Sequence, residues 1–324
     1  MSAFDRPLKA GVIGIGSLGR EHARIYASLD RIGSLTLYDR EGSRAEEVAA
    51  PCGARTSATI EGLLESCDVV SICTPATHHF DAARLAFERG VHVLVEKPLA
   101  QSSAEGRTMV EEAVRAGLVL QVGHIERFNG AFQAALPLLT EPMFIESHRL
   151  ATFTPRGIDV SVVVDLMIHD IDLILTVLKD DAVRELRASG TAVITDSPDI
   201  VNARIEFESG CVANITASRI SREPLRKIRF FQEHLYVSLD LRQKTIEAFE
   251  KTGAGIQDVA IDPMSCIRPV PVTVDRREPL EKEIVSFLDA VGSGRRAAVP
   301  GEEGLEALVV AERVLEAIEG VTRR

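Results

Sequence analysis

The chain has no tryptophan, few aromatic residues of any kind, and five cysteines among 324 residues. Those cysteines (Cys52, Cys67, Cys73, Cys211 and Cys266) are odd in number and form no CxxC pair. That pattern offers neither a disulfide framework nor a zinc site, and no metal is expected. Basic residues are in deficit, 37 Lys and Arg against 48 Asp and Glu, for a net charge of −11. Such a surface argues against nucleic acid or an anionic membrane as the main partner. An anionic substrate would need a local basic pocket. No apolar run approaches the roughly 20 residues of a membrane span. The N-terminal segment lacks the basic start and apolar core of a secretory signal, so a cytoplasmic location is expected. Internal repeats and low-complexity tracts are also missing.

What remains is a chain long enough for two domains, each with its own core. Ala10–Ile13 reads as a short buried strand, followed at once by Gly14-Ile15-Gly16-Ser17-Leu18-Gly19. A helical pattern runs through Ala23, Ile25, Tyr26 and Leu29, and a second strand, Leu35–Tyr38, ends at Asp39. Strand, glycines, helix, strand and acid at this spacing form a dinucleotide fingerprint. Gly14 permits the tight turn, Gly16 lets backbone approach a pyrophosphate, and Gly19 allows close helix–strand packing. The helix starting near Ser17 and Leu18 offers free amides to phosphates. Asp39 suits ribose hydroxyls and favours NAD, whereas Arg40 beside it would suit NADP.

Helical patterns at Glu46–Ala50, Glu61–Glu65, Ala82–Arg89 and Ser103–Ala116 then alternate with apolar runs at Asp68–Cys73, Val91–Val95 and Leu118–Val122. This alternation predicts a doubly wound parallel sheet. Thr74-Pro75 and Glu96-Lys97-Pro98 follow strands, on the rim where such sheets bind ligands. The proline restricts Lys97 to extended geometry and fixes the direction in which it leaves the sheet.

After Gly123 the pattern changes. His124–Asn129 leads into a helix that Pro137 ends or kinks; Phe144–Leu150 reads as a strand and Phe153–Gly157 as a polar loop. Asp159–Val177 reads as a mostly buried helix holding Asp165, His169, Asp170 and Asp172. Asp165 and His169 stand four apart, so one face carries a carboxylate able to orient an imidazole near neutral pH. A lone histidine on an apolar helix is more often a satisfied core residue. Three acids beside it in an apolar helix shift the balance toward function, because buried polar groups need a purpose or many partners. Metal binding is the thinner alternative. Strands are expected at Thr191–Thr195, Val201–Phe207, Val212–Ser218, Ile228–Phe231 and Leu235–Leu239, an antiparallel signature. The cluster Arg219, Arg222, Arg226, Lys227, Arg229 reads as a solvated face, with substrate phosphate or a subunit contact as the minority alternative. Gly253–Val270 reads as loop, and amphipathic helices at Pro279–Val291 and Glu302–Ile318 close the chain.

The glycine turn, Thr74-Pro75 with His79, Glu96-Lys97-Pro98 and the Asp165-x-x-x-His169 helix together resemble the glucose–fructose oxidoreductase / inositol dehydrogenase (Gfo/Idh/MocA) family over nearly the full length. The resemblance implies an N-terminal NAD(P)-binding Rossmann domain, residues 1–123. It also implies an α+β domain, residues 124–324, whose open, mostly antiparallel sheet serves substrate and subunit contacts. It carries catalytic roles onto Lys97, His169 and Asp165. Cofactor contacts are expected at Gly14, Gly16, Ser17, Leu18, Gly19, Asp39, Arg40, Thr74, Pro75, His79, Glu96 and Lys97. Ala76 stands where many members have asparagine, which puts one cofactor contact in doubt. Gly123-His124-x-x-Arg127-Phe128-Asn129, His148-Arg149-Leu150 and Thr154-Pro155-Arg156-Gly157 are most similar to the branch that oxidises the 3-hydroxyl of UDP-N-acetylglucosamine, whose ketone an aminotransferase then aminates for lipid A-type sugars. Substrate contacts are accordingly expected at His124, Arg127, Asn129, Arg149, Arg156 and His169, with Arg149 and Arg156 meeting a diphosphate. A homodimer or homotetramer is implied. A dehydrogenase of a free polyol or another sugar, and a non-catalytic NAD-binding scaffold, are the alternatives.

Overall fold

The computed structural model describes residues 6–154, 160–252 and 266–322. Contact between residues divides the chain into two compact units. The first holds residues up to Ile125 together with Glu278–Leu308; the second holds Glu126–Arg277 and the segment from Val309. A single cut at 123/124 therefore differs from the observed division, because residues 278–308 return to the first unit.

In the first unit, six strands form one parallel sheet: β1 (Leu8–Ile13), β2 (Ile32–Tyr38), β3 (Arg55–Thr56), β4 (Val69–Ile72), β5 (His92–Glu96) and β6 (Leu120–Gly123), in the order β3-β2-β1-β4-β5-β6. β4 is buried along its whole length, and β5 at every residue after His92. Strands covered on both faces by helices must be apolar throughout, which is why they read as continuous runs. The connecting helices are α1 (Ser17–Ser28), α2 (Gly42–Cys52), α3 (Ile60–Leu64), α4 (His79–Glu88) and α5 (Ser103–Ala116). The order reverses between β1 and β4, the switch point at which such sheets open a ligand crevice.

The second unit begins with a 3-10 turn at Ile125–Phe128, of which Ile125 belongs to the first unit, and continues into α6 (Gly130–Ala135). A further 3-10 turn, Leu136–Leu138, holds Pro137 and stops the helix there. The sheet comprises β7 (Phe144–Leu150), β8 (Val183–Thr191), β9 (Ile200–Phe207), β10 (Val212–Ser218), β11 (Leu225–Phe231), β12 (Leu235–Asp240), β13 (Thr245–Lys251) and β14 (Ile267–Pro269). Its order is β14-β13-β12-β11-β7-β10-β9-β8, with β7 and β10 the parallel pair and every other pairing antiparallel. Burial alternates along β7, β9 and β10, so one face is covered. α7 (Ile168–Val177) packs on β7 and β10.

The expected fold class, a Rossmann sheet followed by an α+β part with a mostly antiparallel sheet, is what the chain adopts. Three local expectations need correction. Thr191–Thr195 is not a strand: β8 ends at Thr191, and the amides of Val193, Ile194 and Thr195 all donate to one Asp199 oxygen at 2.6–3.0 Å. β8 itself, rich in charge and at the sheet edge, lacks the apolar alternation that marks a half-buried strand. The helix expected over Asp159–Val177 is interrupted: Val163–Met167 is a π turn, in which the Ile168 amide reaches back five residues to the Val163 carbonyl, and α7 starts only at Ile168. The loop expected over Gly253–Val270 contains a strand, β14 at Ile267–Pro269; residues 253–265, and part of the polar loop expected over Phe153–Gly157, lie outside the described residues.

The chain closes with α8 (Pro279–Ser293) and α9 (Gly301–Thr322). Leu280, Ile284, Phe287, Leu288 and Val291 of α8 join the core formed by β1, β2 and α1, which places this helix in the first unit. Among the described residues no helix is long and apolar enough to cross a membrane.

Candidate active site

The glycine turn follows β1. Gly14 has φ of +89°, and a Cβ there would lie 2.9 Å from the backbone of Cys73 and Thr74. A Cβ on Gly19 would lie 1.9 Å from the Gly14 carbonyl oxygen, so helix and turn touch backbone to backbone. Gly16 differs: nothing lies within 4 Å of its Cβ position. Gly16, Ser17 and Leu18 are exposed, and α1 has neither a side-chain cap nor an acidic residue in its first turn. α5 makes the contrast, since the Ser102 hydroxyl accepts from the Glu105 amide there. The uncapped amides of α1 are those an anion would take.

Asp39, after β2, borders the same turn. One carboxylate oxygen accepts the Ile15 amide at 2.7 Å and the other the Glu41 amide at 2.9 Å. Each oxygen retains a lone pair for a ribose hydroxyl. Arg40 is exposed. Thr74, in the loop after β4, has a buried hydroxyl with no hydrogen-bond partner among the described residues. An open glycine, uncapped amides, a fixed acid and an unmet hydroxyl fit a dinucleotide.

His79 is a clasp between loops. Buried at 1% exposure, its ring nitrogens lie 2.8 Å from the Thr74 carbonyl and 2.9 Å from that of Pro98. Burial lowers its pKa against the pull of those two carbonyls and of Glu96. Glu96 is likewise turned inward. Its Oε1 meets His22 Nε2 at 3.1 Å, and Oε2 accepts the Lys97 amide at 3.3 Å. Burial pushes the Glu96 carboxyl up, but His22, Lys97 and His79 outweigh it, and the net direction is down.

An ionised Glu96 can only accept, so Nε2 of His22 carries the proton. Nδ1 of the same ring lies 3.0 Å from Ser71 Oγ, which is hydrogen-bonded to Tyr26 Oη at 2.9 Å. Burial raises the Tyr26 phenol further, so it keeps its proton. The result is a hydrogen-bonded chain, Tyr26–Ser71–His22–Glu96, ending one residue before Lys97. Neither His22 nor Ser71 stood out in the sequence: His22 lies within the apolar pattern of α1, and Ser71 inside a buried strand. Lys97 follows β5, half-buried, and its peptide bond to Pro98 is cis. His124, just after β6, is buried at 1% exposure.

In the second unit the acids near His169 divide by role. Asp170 is held bidentately by Arg149 at 2.9 and 3.0 Å, and the same guanidinium donates to Glu126 at 3.0 Å. Asp172 is held by Arg127 at 2.6–3.0 Å. Burial raises the Asp170 carboxyl, with the Glu126 charge adding and Arg149 opposing. Asn129 caps α6, accepting the Ala131 amide and donating to Glu126 and the Leu241 carbonyl. Arg127, Arg149 and Asn129 are thus buried among protein partners. Glu126, which gathers Arg149 and Asn129, was not singled out from sequence. Arg156 lies outside the described residues. Asp165 and His169 are half-buried, Asp165 in the π turn and His169 in the first turn of α7. π turns occur frequently at functional sites. Among the described residues no group of three or more His, Cys, Asp or Glu side chains is placed to hold a metal ion.

Comparison with known proteins agrees with this anatomy. Residues 8–124 match the oxidoreductase family with an NAD-binding Rossmann fold, and residues 121–234 match the GFO/IDH/MocA C-terminal domain. The chain is 36% identical to UDP-N-acetylglucosamine 3-dehydrogenase of Acidithiobacillus ferrooxidans, across 98% of this chain and 99% of that protein. The solved structure of that enzyme superposes with a TM-score of 0.88 over 97% of this chain and 98% of the other. The scyllo-inositol 2-dehydrogenase (NAD(+)) of Bacillus subtilis is 28% identical over 67% of this chain and 69% of its own length. The chain belongs to the Gfo/Idh/MocA oxidoreductase family. It is a dehydrogenase, and its cofactor is NAD.

Proposed function

We propose that the chain oxidises a secondary hydroxyl of a nucleotide sugar, the 3-hydroxyl of UDP-N-acetylglucosamine, to the ketone. The observation that carries this reading is the 36% identity with a UDP-N-acetylglucosamine 3-dehydrogenase across almost the whole of both chains. Gly14, Gly16, Ser17, Leu18 and Gly19 hold the pyrophosphate of NAD, and Asp39 and Thr74 take its remaining polar groups. Bound there, NAD would supply the acceptor for the hydride of the carbinol carbon. His169 removes the hydroxyl proton, with Asp165 setting its orientation, and Lys97 supplies positive charge to the developing alkoxide. Glu96, fixed by His22, positions Lys97 through its backbone. The ketone so formed is a substrate for amination by a separate aminotransferase. A cytoplasmic homodimer or homotetramer completes the proposal.

The test is a panel of UDP-N-acetylglucosamine, UDP-glucose, free N-acetylglucosamine and myo-inositol with NAD. NADH formation would be followed by absorbance, and the ketone trapped with hydroxylamine for mass analysis. Turnover of UDP-N-acetylglucosamine, with the oxime at carbon 3, is the expected result. Turnover of inositol alone would keep the dehydrogenase and discard the nucleotide sugar.

A further inference from the structure

Four strand ends of the second unit meet at one end of its sheet. β7 and β10 run parallel and finish together, Leu150 opposite Ser218. β11 starts there, with Leu225 opposite Leu150, and just beyond the end of β12 the Leu241 amide donates to the Arg226 carbonyl at 2.8 Å. Residues at and just beyond these ends, Thr152, Thr154, Arg219, Arg226 and Arg242, line a cavity of about 430 Å³ whose wall also includes Asp165. The arginine cluster seen in the sequence is thereby split. Arg229 pairs with Glu146 along the strands, Arg222 is exposed outside the lining, and Arg242, distant in sequence, joins Arg219 and Arg226.

Three guanidiniums converge on one cavity in a chain whose net charge is −11. Asp165 is the single acid of the lining among the described residues, and Glu126 reaches Arg226 only at 3.5 Å. Arg219 is buried at 8% exposure and anchored by donation to the Val160 carbonyl. Arg226 and Arg242 are exposed, and each guanidinium makes one contact at the long limit of hydrogen bonding, 3.5 Å to Glu126 and 3.4 Å to the Pro224 carbonyl. Most of their fork-shaped donors therefore point elsewhere, and that geometry matches phosphate oxygens. Threonine hydroxyls beside them add donors of the kind a phosphate accepts.

The geometry points to this cavity as the seat of a diphosphate, the linkage of a nucleoside-diphosphate sugar; this rests on the nucleotide-sugar reading above. The arginines that do the work are Arg219, Arg226 and Arg242, in place of the buried Arg127 and Arg149. Asp165 on the cavity wall ties the site to the segment that carries His169, so the sugar end of the same ligand faces the proposed base.

The test uses the full chain loaded with NAD and titrated calorimetrically with UDP and with uridine. The double variant Arg226→Gln/Arg242→Gln changes two exposed side chains and leaves the buried Arg219 in place. UDP affinity is expected to fall by about tenfold or more, the scale of losing charge-assisted bonds. Uridine affinity should hold, and Arg222→Gln should leave UDP affinity unchanged. Equal UDP affinity in the double variant and wild type overturns the proposal, as does wild type that fails to bind UDP. A changed sedimentation mass with unchanged UDP affinity also overturns it, by making the arginines subunit contacts. UDP binding lost in the variant of an enzyme that does not oxidise UDP-N-acetylglucosamine keeps the diphosphate site and rejects the sugar assignment.

Discussion

Nε2 of His22 lies 3.1 Å from Oε1 of Glu96, the residue immediately before Lys97. Glu96 is buried and its pKa is lowered, chiefly against its own burial and by the bond to His22. A group whose folded pKa is depressed stabilises the fold above its unfolded pKa, and that contribution is lost as pH falls through the folded value. His22→Ala should therefore cost about 2–3 kcal/mol near neutral pH, the range for a hydrogen bond to a charged group plus a stranded acceptor. It should also move the acid limb of the stability curve to higher pH. Urea unfolding across the acid range reads both effects. An unchanged acid limb would mean that His22 does not hold the carboxylate.

Gly16 and Gly19 should fail in different ways. With nothing within 4 Å of its Cβ position, Gly16→Ala should fold with stability within about 1 kcal/mol of wild type. It should nevertheless lose NAD affinity on the order of tenfold or more, because the backbone no longer admits a pyrophosphate. Gly19→Ala puts a methyl against the Gly14 carbonyl, so both stability and NAD binding should fall. Thermal unfolding with and without NAD separates the two. Gly16→Ala with undiminished NAD affinity would contradict the assignment of the turn.

Arg149 should prove a structural ion. Arg149→Ala leaves Glu126 and Asp170 buried without their shared cation, a loss of about 3–5 kcal/mol. The effect should appear in chemical unfolding. A variant of wild-type stability with a raised KM for the sugar nucleotide would restore Arg149 as a substrate contact.

Much of the first unit was legible because its strands are buried on both faces and its turns are marked by glycine and proline. Ser103–Ala116, Phe144–Leu150 and Val212–Ser218 coincide with their expected limits, each being strongly periodic. β8 escaped because a charged edge strand carries no apolar alternation, and β13 was not anticipated at all. The π turn at Val163–Met167 is invisible to spacing rules that assume an α-helical period. The ion pairs of Arg127 and Arg149 were not legible for a different reason. Their partners Asp172 and Asp170 lie 45 and 21 residues away, and no local pattern announces a pairing that only the tertiary fold creates. The acids flanking His169 looked catalytic as a group; two of them are held by those arginines, and Asp165 lines the arginine cavity.

The most direct test of the account compares NADH formation from UDP-N-acetylglucosamine by wild type, Lys97→Ala and His169→Ala, with NAD binding measured in parallel. His169→Ala should bind NAD as wild type does and Lys97→Ala more weakly, and both should lose about 10²–10⁴-fold in kcat, the scale of a missing acid–base group. A variant that keeps wild-type kcat would remove that residue from the chemistry, and wild type that binds NAD but oxidises no sugar or polyol would contradict the proposed reaction as a whole.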